Sequence, residues 1–226
     1  MDIDPFETGL LTFCHEVQGE LTEISMFNEQ TEKSWERSDA ELQADLSERL
    51  KKIPRKHHDE FISGYGWDLH LNQTLFPSMH RASTVISLHS YLEDTLNRLA
   101  DLVAPLLGSE VTYKDLRGSG IERARLYFIK VGEFDFENLN CTWCVMKQVN
   151  KLRNQLVHNG GYLPEGANDA VNKFISSNKL LSGEPGCKVQ ISSGFVEFYI
   201  QTLIKFFSEL NEEVTKLIKR AEQESA

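Results

Sequence analysis

The segment CVMKQVNKLRNQLVHNGG, residues 144–161, carries the clearest structural signal in this chain. Its apolar residues recur at steps of three and four, the spacing that places side chains on one face of an α-helix. Two glycines follow Asn159, and glycine readily adopts the left-handed backbone conformation that closes a helix. The sequence therefore predicts a helix over about residues 138–158 that ends at this point.

Helical spacing of apolar residues recurs along most of the chain. The predicted helices cover about residues 6–30, 38–52, 85–105, 120–131, 138–158 and 194–221. The apolar residues of 54–80 follow neither a helical nor a strand period. Residues 179–192, with Gly183-Glu184-Pro185-Gly186 in the middle, predict a β-hairpin. The expected fold class is all-α: a helical bundle with an N-terminal helical hairpin, broken near Glu32–Trp35, and a small β-hairpin before the last helix.

Charge is distributed unevenly over the 226 residues, whose net charge is −10. Residues 1–60 carry 15 acids and 7 bases, whereas residues 61–194 carry 13 of each. We therefore expect an acidic helical appendage over residues 1–62 and a helical core over residues 63–226. The acidic balance argues against standing affinity for duplex nucleic acid, because no broad basic face is available to release counterions.

The N-terminus indicates where in the cell the protein is expected, and the cysteines indicate whether it is expected to hold a metal. The chain starts without the basic and apolar stretch of a signal peptide and has no uncharged run long enough to span a bilayer, so we expect a cytoplasmic protein without membrane contact. Cys141-Thr142-Trp143-Cys144 is a CxxC, but no second ligand pair accompanies it. The sequence predicts buried, unreactive cysteines, no metal site and no cofactor.

Arg153, Asn154 and His158 lie together at the end of the predicted helix. Histidine can take or give a proton near neutral pH, and arginine keeps its charge while presenting donors that suit phosphate oxygens. These side chains are suited to cutting RNA without a metal. Lys114–Arg153 holds eight bases and five acids, so the motif lies in a locally positive part of an acidic chain.

The stretch Arg153–His158 resembles the Arg-Asn-x-x-x-His motif of HEPN domains, an all-α family of metal-independent endoribonucleases found in toxin–antitoxin and phage-defence systems. Ser90–Leu99 resembles the first core helix of that family, and Lys114–Ala124 resembles the segment between its two core helices. The likeness covers about residues 80–162. It implies a HEPN-like helical core, an RNA substrate, a homodimer and a neutralising or sensor protein as a further partner.

The predicted roles follow from the chemistry of the motif. His158 is expected to act as general base or acid, Arg153 to stabilise charge on the phosphorane, and Asn154 to orient the histidine or the phosphate. Three residues are expected to support them. They are Glu93 and Asn97, predicted to form a buried hydrogen-bonded brace, and Lys151, on the polar side of the motif helix.

An ideal helix separates Arg153 from His158 by about 140°, so one helix does not bring the two side chains together. Either the helix loosens at its last turn, or a second copy of the chain completes the site across a twofold axis. The competing interpretation pairs Arg153 with Glu93 and leaves His158 to stabilise the helix C-terminus. The chain is then a non-catalytic helical interaction or regulatory module, or an RNA-binding protein without chemistry.

Overall fold

The computed structural model describes residues 9–225, and most of them are helical. The helices are α1 Leu10–Leu50, α2 His58–Gly64, α3 Gly66–His70, α4 Phe76–Val103, α5 Gly120–Lys130, α6 Asn140–His158, α7 Ala170–Ser177 and α8 Ser193–Ser225. Strands β1, Leu181–Ser182, and β2, Gln190–Ile191, pair antiparallel. The all-α prediction and the small β-hairpin before the last helix are confirmed. Within residues 9–225 no helix is both long enough and apolar enough to cross a membrane.

The chain divides into two compact units, each built from separated segments. Unit 1 comprises the described parts of Met1–Ile24, Val85–Gly161 and Phe198–Ala226, and unit 2 comprises Ser25–Thr84 and Tyr162–Glu197. This division differs from the boundary expected at residue 62. The apolar face of the start of α1 is buried in the core of unit 1, which therefore includes part of the segment predicted as an appendage.

The core of unit 1 is formed by the apolar stripes of five helices. Its buried residues include Phe13, Val17 and Leu21 of α1, Leu88, Leu92, Leu96 and Leu99 of α4, Phe128 of α5, Met146, Val149 and Leu152 of α6, and Leu203, Phe206, Leu210 and Val214 of α8. Trp143 lies at the start of α6 with its ring 5.7 Å from that of Phe136 and 5.8 Å from that of Phe206. This packing fixes the orientation of the helix that carries the predicted motif.

Unit 2 contains a helical hairpin, but its turn is not where the sequence predicted it. The break expected near Glu32–Trp35 is wrong: α1 runs unbroken to Leu50, since no glycine or proline interrupts it after Gly19. The chain turns at residues 51–57, around Pro54, and returns through α2, α3, a π-type turn and the start of α4. We call Ser25–Thr84 the unit 2 hairpin.

Polar pairs join the two arms of the unit 2 hairpin. Arg81 forms a two-pronged ion pair with Glu32, at 2.7 Å for both Nε–Oε1 and Nη2–Oε2, and both side chains are largely buried. Further along the arms, Gln73 donates to Asp39 and the rings of Trp35 and Phe76 lie 5.7 Å apart. These contacts run in antiparallel order and define how the arms align.

Candidate functional site

The end of α6 has the shape that the sequence predicted. The helix stops at His158, and Gly160 and Gly161 follow with φ of 60° and 83°, in the left-handed region. The N–H of Gly161 donates to the carbonyl of Gln155 at 3.0 Å, which ties the turn back to the helix. The imidazole of His158 is therefore held in the last helical turn, exposed to solvent.

The distribution of side chains around α6 also matches the prediction. Val149 and Leu152 are buried, whereas Lys151, Asn154 and His158 are exposed on the opposite side. Among residues 9–225 no hydrogen bond joins His158 to Arg153 or to Asn154.

Arg153 is a half-buried cation without a carboxylate partner. Its Nη1 donates to Oδ1 of Asn154 at 3.2 Å, and its Nε is buried without an acceptor. The alternative in which Glu93 neutralises Arg153 is not observed, since the described residues contain no ion pair between them. A partly desolvated charge without a counter-charge is unfavourable, and an anionic ligand would relieve that cost.

The bases near the motif share this lack of partners. Within the described part of the chain, none of the eight bases between Lys114 and Arg153 forms an ion pair with an acid. Some of them lie over aromatic rings instead: Arg123 lies 5.4 Å from the ring centre of Tyr113, and Arg125 lies 5.3 Å from that of Phe136. Aromatic faces attract cations without neutralising them, so this part of unit 1 keeps its positive charge.

The supporting residues are arranged differently from the expectation. Glu93 and Asn97 are both half-buried on α4, but no hydrogen bond joins them and the side-chain oxygen of Asn97 is buried without a partner. The predicted hydrogen-bonded brace is therefore wrong. Glu93 instead lies against the chain entering α5, where a Cβ on Gly120 would meet its Oε2 at 3.6 Å. Lys151 is exposed.

His89 is a buried neighbour of the motif that sequence reasoning missed. It is 2% exposed, and its Nδ1 lies 2.9 Å from the hydroxyl of Tyr199. Burial, and then the charge of Arg153, lower its pKa from 6.5 to about 4. Burial also raises the pKa of Tyr199, so its hydroxyl stays protonated beside the neutral imidazole.

A pattern in the sequence does point to His89. It precedes Glu93 and Asn97 by four and eight positions, so the three polar residues follow one line along α4, next to its apolar stripe. Of the three, His89 is the one that is fully buried, and a buried imidazole requires a hydrogen-bond partner inside the protein. The position of Tyr199, 110 residues away in sequence, could not be read from that pattern.

The cysteines differ from the expectation of burial. Only Cys14 is buried, and desolvation raises the pKa of its thiol to about 12. Cys141, Cys144 and Cys187 are exposed free thiols. Among residues 9–225 no group of three or more histidine, cysteine, aspartate or glutamate side chains is arranged to hold a metal ion.

Comparison with known proteins does not identify a family for this chain. No family model, curated protein or solved structure matches the chain.

Proposed function

We propose that the protein is a metal-independent endoribonuclease of the HEPN type that cleaves RNA by attack of a ribose 2′-hydroxyl, within a toxin or phage-defence system. The observation that carries the proposal is Arg153, a half-buried guanidinium with an unpartnered Nε, at the end of a stretch of sequence whose bases form no ion pair with a described acid. It lies five residues before an exposed histidine, in the order found in the HEPN motif.

The proposed reaction balances with the side chains of the motif. His158 takes the proton of the 2′-hydroxyl, O2′ bonds to phosphorus, and the bond from phosphorus to O5′ breaks. The leaving O5′ receives a proton from the partner subunit's His158, which gives a 2′,3′-cyclic phosphate and a 5′-hydroxyl end. Arg153 stabilises the charge that develops on the phosphorane, and Asn154, which accepts from Arg153, orients it.

A homodimer is part of this proposal. On an ideal helix Arg153 and His158 are about 140° apart, so one helix does not bring both groups to a single phosphate. A twofold axis beside α6 would place two such pairs in one cleft. The exposed side chain of Val157, 43% accessible at the end of the same helix, supports a contact there.

The test incubates the purified chain with a ribo-oligonucleotide in excess EDTA, beside a copy with 2′-deoxy sugars, and identifies the new ends by mass. Cleavage of the ribo-oligonucleotide alone, with cyclic phosphate ends, is expected. His158→Ala and Arg153→Ala should abolish it and keep the helical circular dichroism, whereas His15→Ala, at an exposed position of α1, should cleave normally.

Three results would contradict the proposal. They are cleavage of the deoxy copy, loss of activity in EDTA, and products with 5′-phosphate ends. An inert wild-type chain would favour the non-catalytic interaction module instead.

A further inference from the structure

Charge is segregated along the unit 2 hairpin. The arm from Ser25 to Glu48 holds seven acids and two bases, whereas residues 49–58, which include the turn, hold five bases, two histidines and no acid. In a chain of net charge −10, the turn is therefore a local reversal of sign. We call residues 49–65 the hairpin tip.

Three of the five bases at the hairpin tip are not neutralised. Arg49 pairs with Asp45 and Lys52 with Glu48, each across one helical turn at 2.8 Å. Lys51, Arg55 and Lys56 are exposed and have no ion pair with any described residue. These three cations are available to an anionic ligand.

An open groove of about 400 Å³ lies in the same hairpin tip, and two of its lining residues, Ile53 and His57, are close in sequence to these cations. It is lined by Ile53, His57, Glu60, Phe61, Gly64 and Tyr65. The rings of Phe61 and Tyr65 are half-exposed, with centres 5.2 Å apart and planes tilted by 46°. Exposed aromatic faces next to uncompensated cations are the combination that proteins use to hold single-stranded nucleic acid, whose unpaired bases stack on rings.

We propose that the hairpin tip binds single-stranded RNA, with phosphates held by Lys51, Arg55 and Lys56 and a base stacked on Phe61 or Tyr65. The choice of RNA over DNA rests on the proposed function. An acidic peptide would satisfy the cations but leave the rings unused. The carboxylate of Glu60, on the groove wall and 3.8 Å from His57 Nδ1, disfavours insertion into lipid.

The experiment measures binding of a fluorescein-labelled 2′-O-methyl oligouridylate about 12 nucleotides long by fluorescence anisotropy at several salt concentrations. The 2′-O-methyl group removes the nucleophile, so the wild-type chain is used and no cleavage is needed. Three phosphate contacts predict a slope of log K against log salt of about −2, from about −0.7 per contact.

Two variants test the parts of the hairpin tip. Exchanging Lys51, Arg55 and Lys56 for Gln should reduce the salt slope by about 2, and Tyr65→Leu should weaken binding roughly tenfold. The control exchanges Lys173, Lys179 and Lys188, exposed bases elsewhere in unit 2, for Gln and should bind like wild type. It removes the same total charge from a different place.

The outcomes separate this inference from the proposed nuclease. Absent binding, equal loss in the control variant, or tighter binding of the matching duplex would each overturn it. Phosphatidylserine vesicles or polyglutamate are added as competitors, and their effect is compared between wild type and the variant without the three bases. If either competes as strongly as the oligonucleotide and through the same three bases, the hairpin tip binds another anion instead of RNA. A chain that binds but never cleaves would refute the nuclease alone.

Discussion

The buried histidine of α4 should make folding stability depend on pH in a way that one substitution removes. His89 has its pKa lowered from 6.5 to about 4 in the folded chain, by burial first and by Arg153 second. Between pH 6.5 and 4 the unfolded chain binds a proton at this residue and the folded chain does not. Lowering the pH through this window therefore destabilises the fold.

The size of the effect follows from the shift. Each pKa unit corresponds to about 1.4 kcal/mol, so this residue should cost the fold about 3 kcal/mol between pH 7 and pH 4. Other groups titrate in the same range, and a comparison with His89→Gln cancels their contribution. The unfolding free energies of wild type and His89→Gln are measured by urea denaturation at both pH values. Between pH 7 and pH 4 wild type should lose about 3 kcal/mol more than His89→Gln.

A matched control and a refuting outcome complete this test. His15→Gln, at an exposed position of α1, is measured alongside as the matched histidine substitution. If the His89→Gln difference is the same at both pH values, His89 does not titrate differently in the folded chain, and the neutral imidazole beside Tyr199 is refuted.

Further tests concern the buried ion pair, the end of α6 and the assembly of the site. Arg81→Met leaves the Glu32 carboxylate buried without its cation and should lower the unfolding free energy by about 3–5 kcal/mol in chemical denaturation; the exposed-pair variant Lys33→Met should leave it nearly unchanged. Gly160→Ala should cost about 1–2 kcal/mol, and Gly160→Asn less, by thermal unfolding, because φ is 60° there. Light scattering at micromolar concentration should find a homodimer, and a fully active monomer would contradict the composite site.

The parts of the fold that local chemistry controls could be predicted from sequence. The bounds of α5 and α6 and the β-hairpin follow from apolar spacing and from glycines at the stops. The break predicted at Glu32–Trp35 is wrong, because that segment contains no glycine or proline that would end a helix. The stop predicted before Pro54, which cannot donate a helical hydrogen bond, marks the real turn.

The candidate site was predicted as far as the geometry of a single helix allows. The exposed side of α6 and the edge position of Arg153 follow from 3.6 residues per turn. The pairing of Arg153 with Glu93 was wrong, because contacts between helices depend on packing that no spacing reveals. Those contacts instead place the hydroxyl of Tyr199 against His89.

The Glu32–Arg81 ion pair bears on how the unit 2 hairpin avoids misalignment. Two long helices can slide past each other by a whole turn, about 5.4 Å, and still bury apolar side chains. Such a slip would leave Arg81 and Glu32 desolvated without each other. The free energy lost in that way is far larger than the net stabilisation that the pair gives in the correct alignment. We expect the pair to select one register among several of similar packing energy, so that its loss gives a chain that still collapses but refolds into more than one alignment.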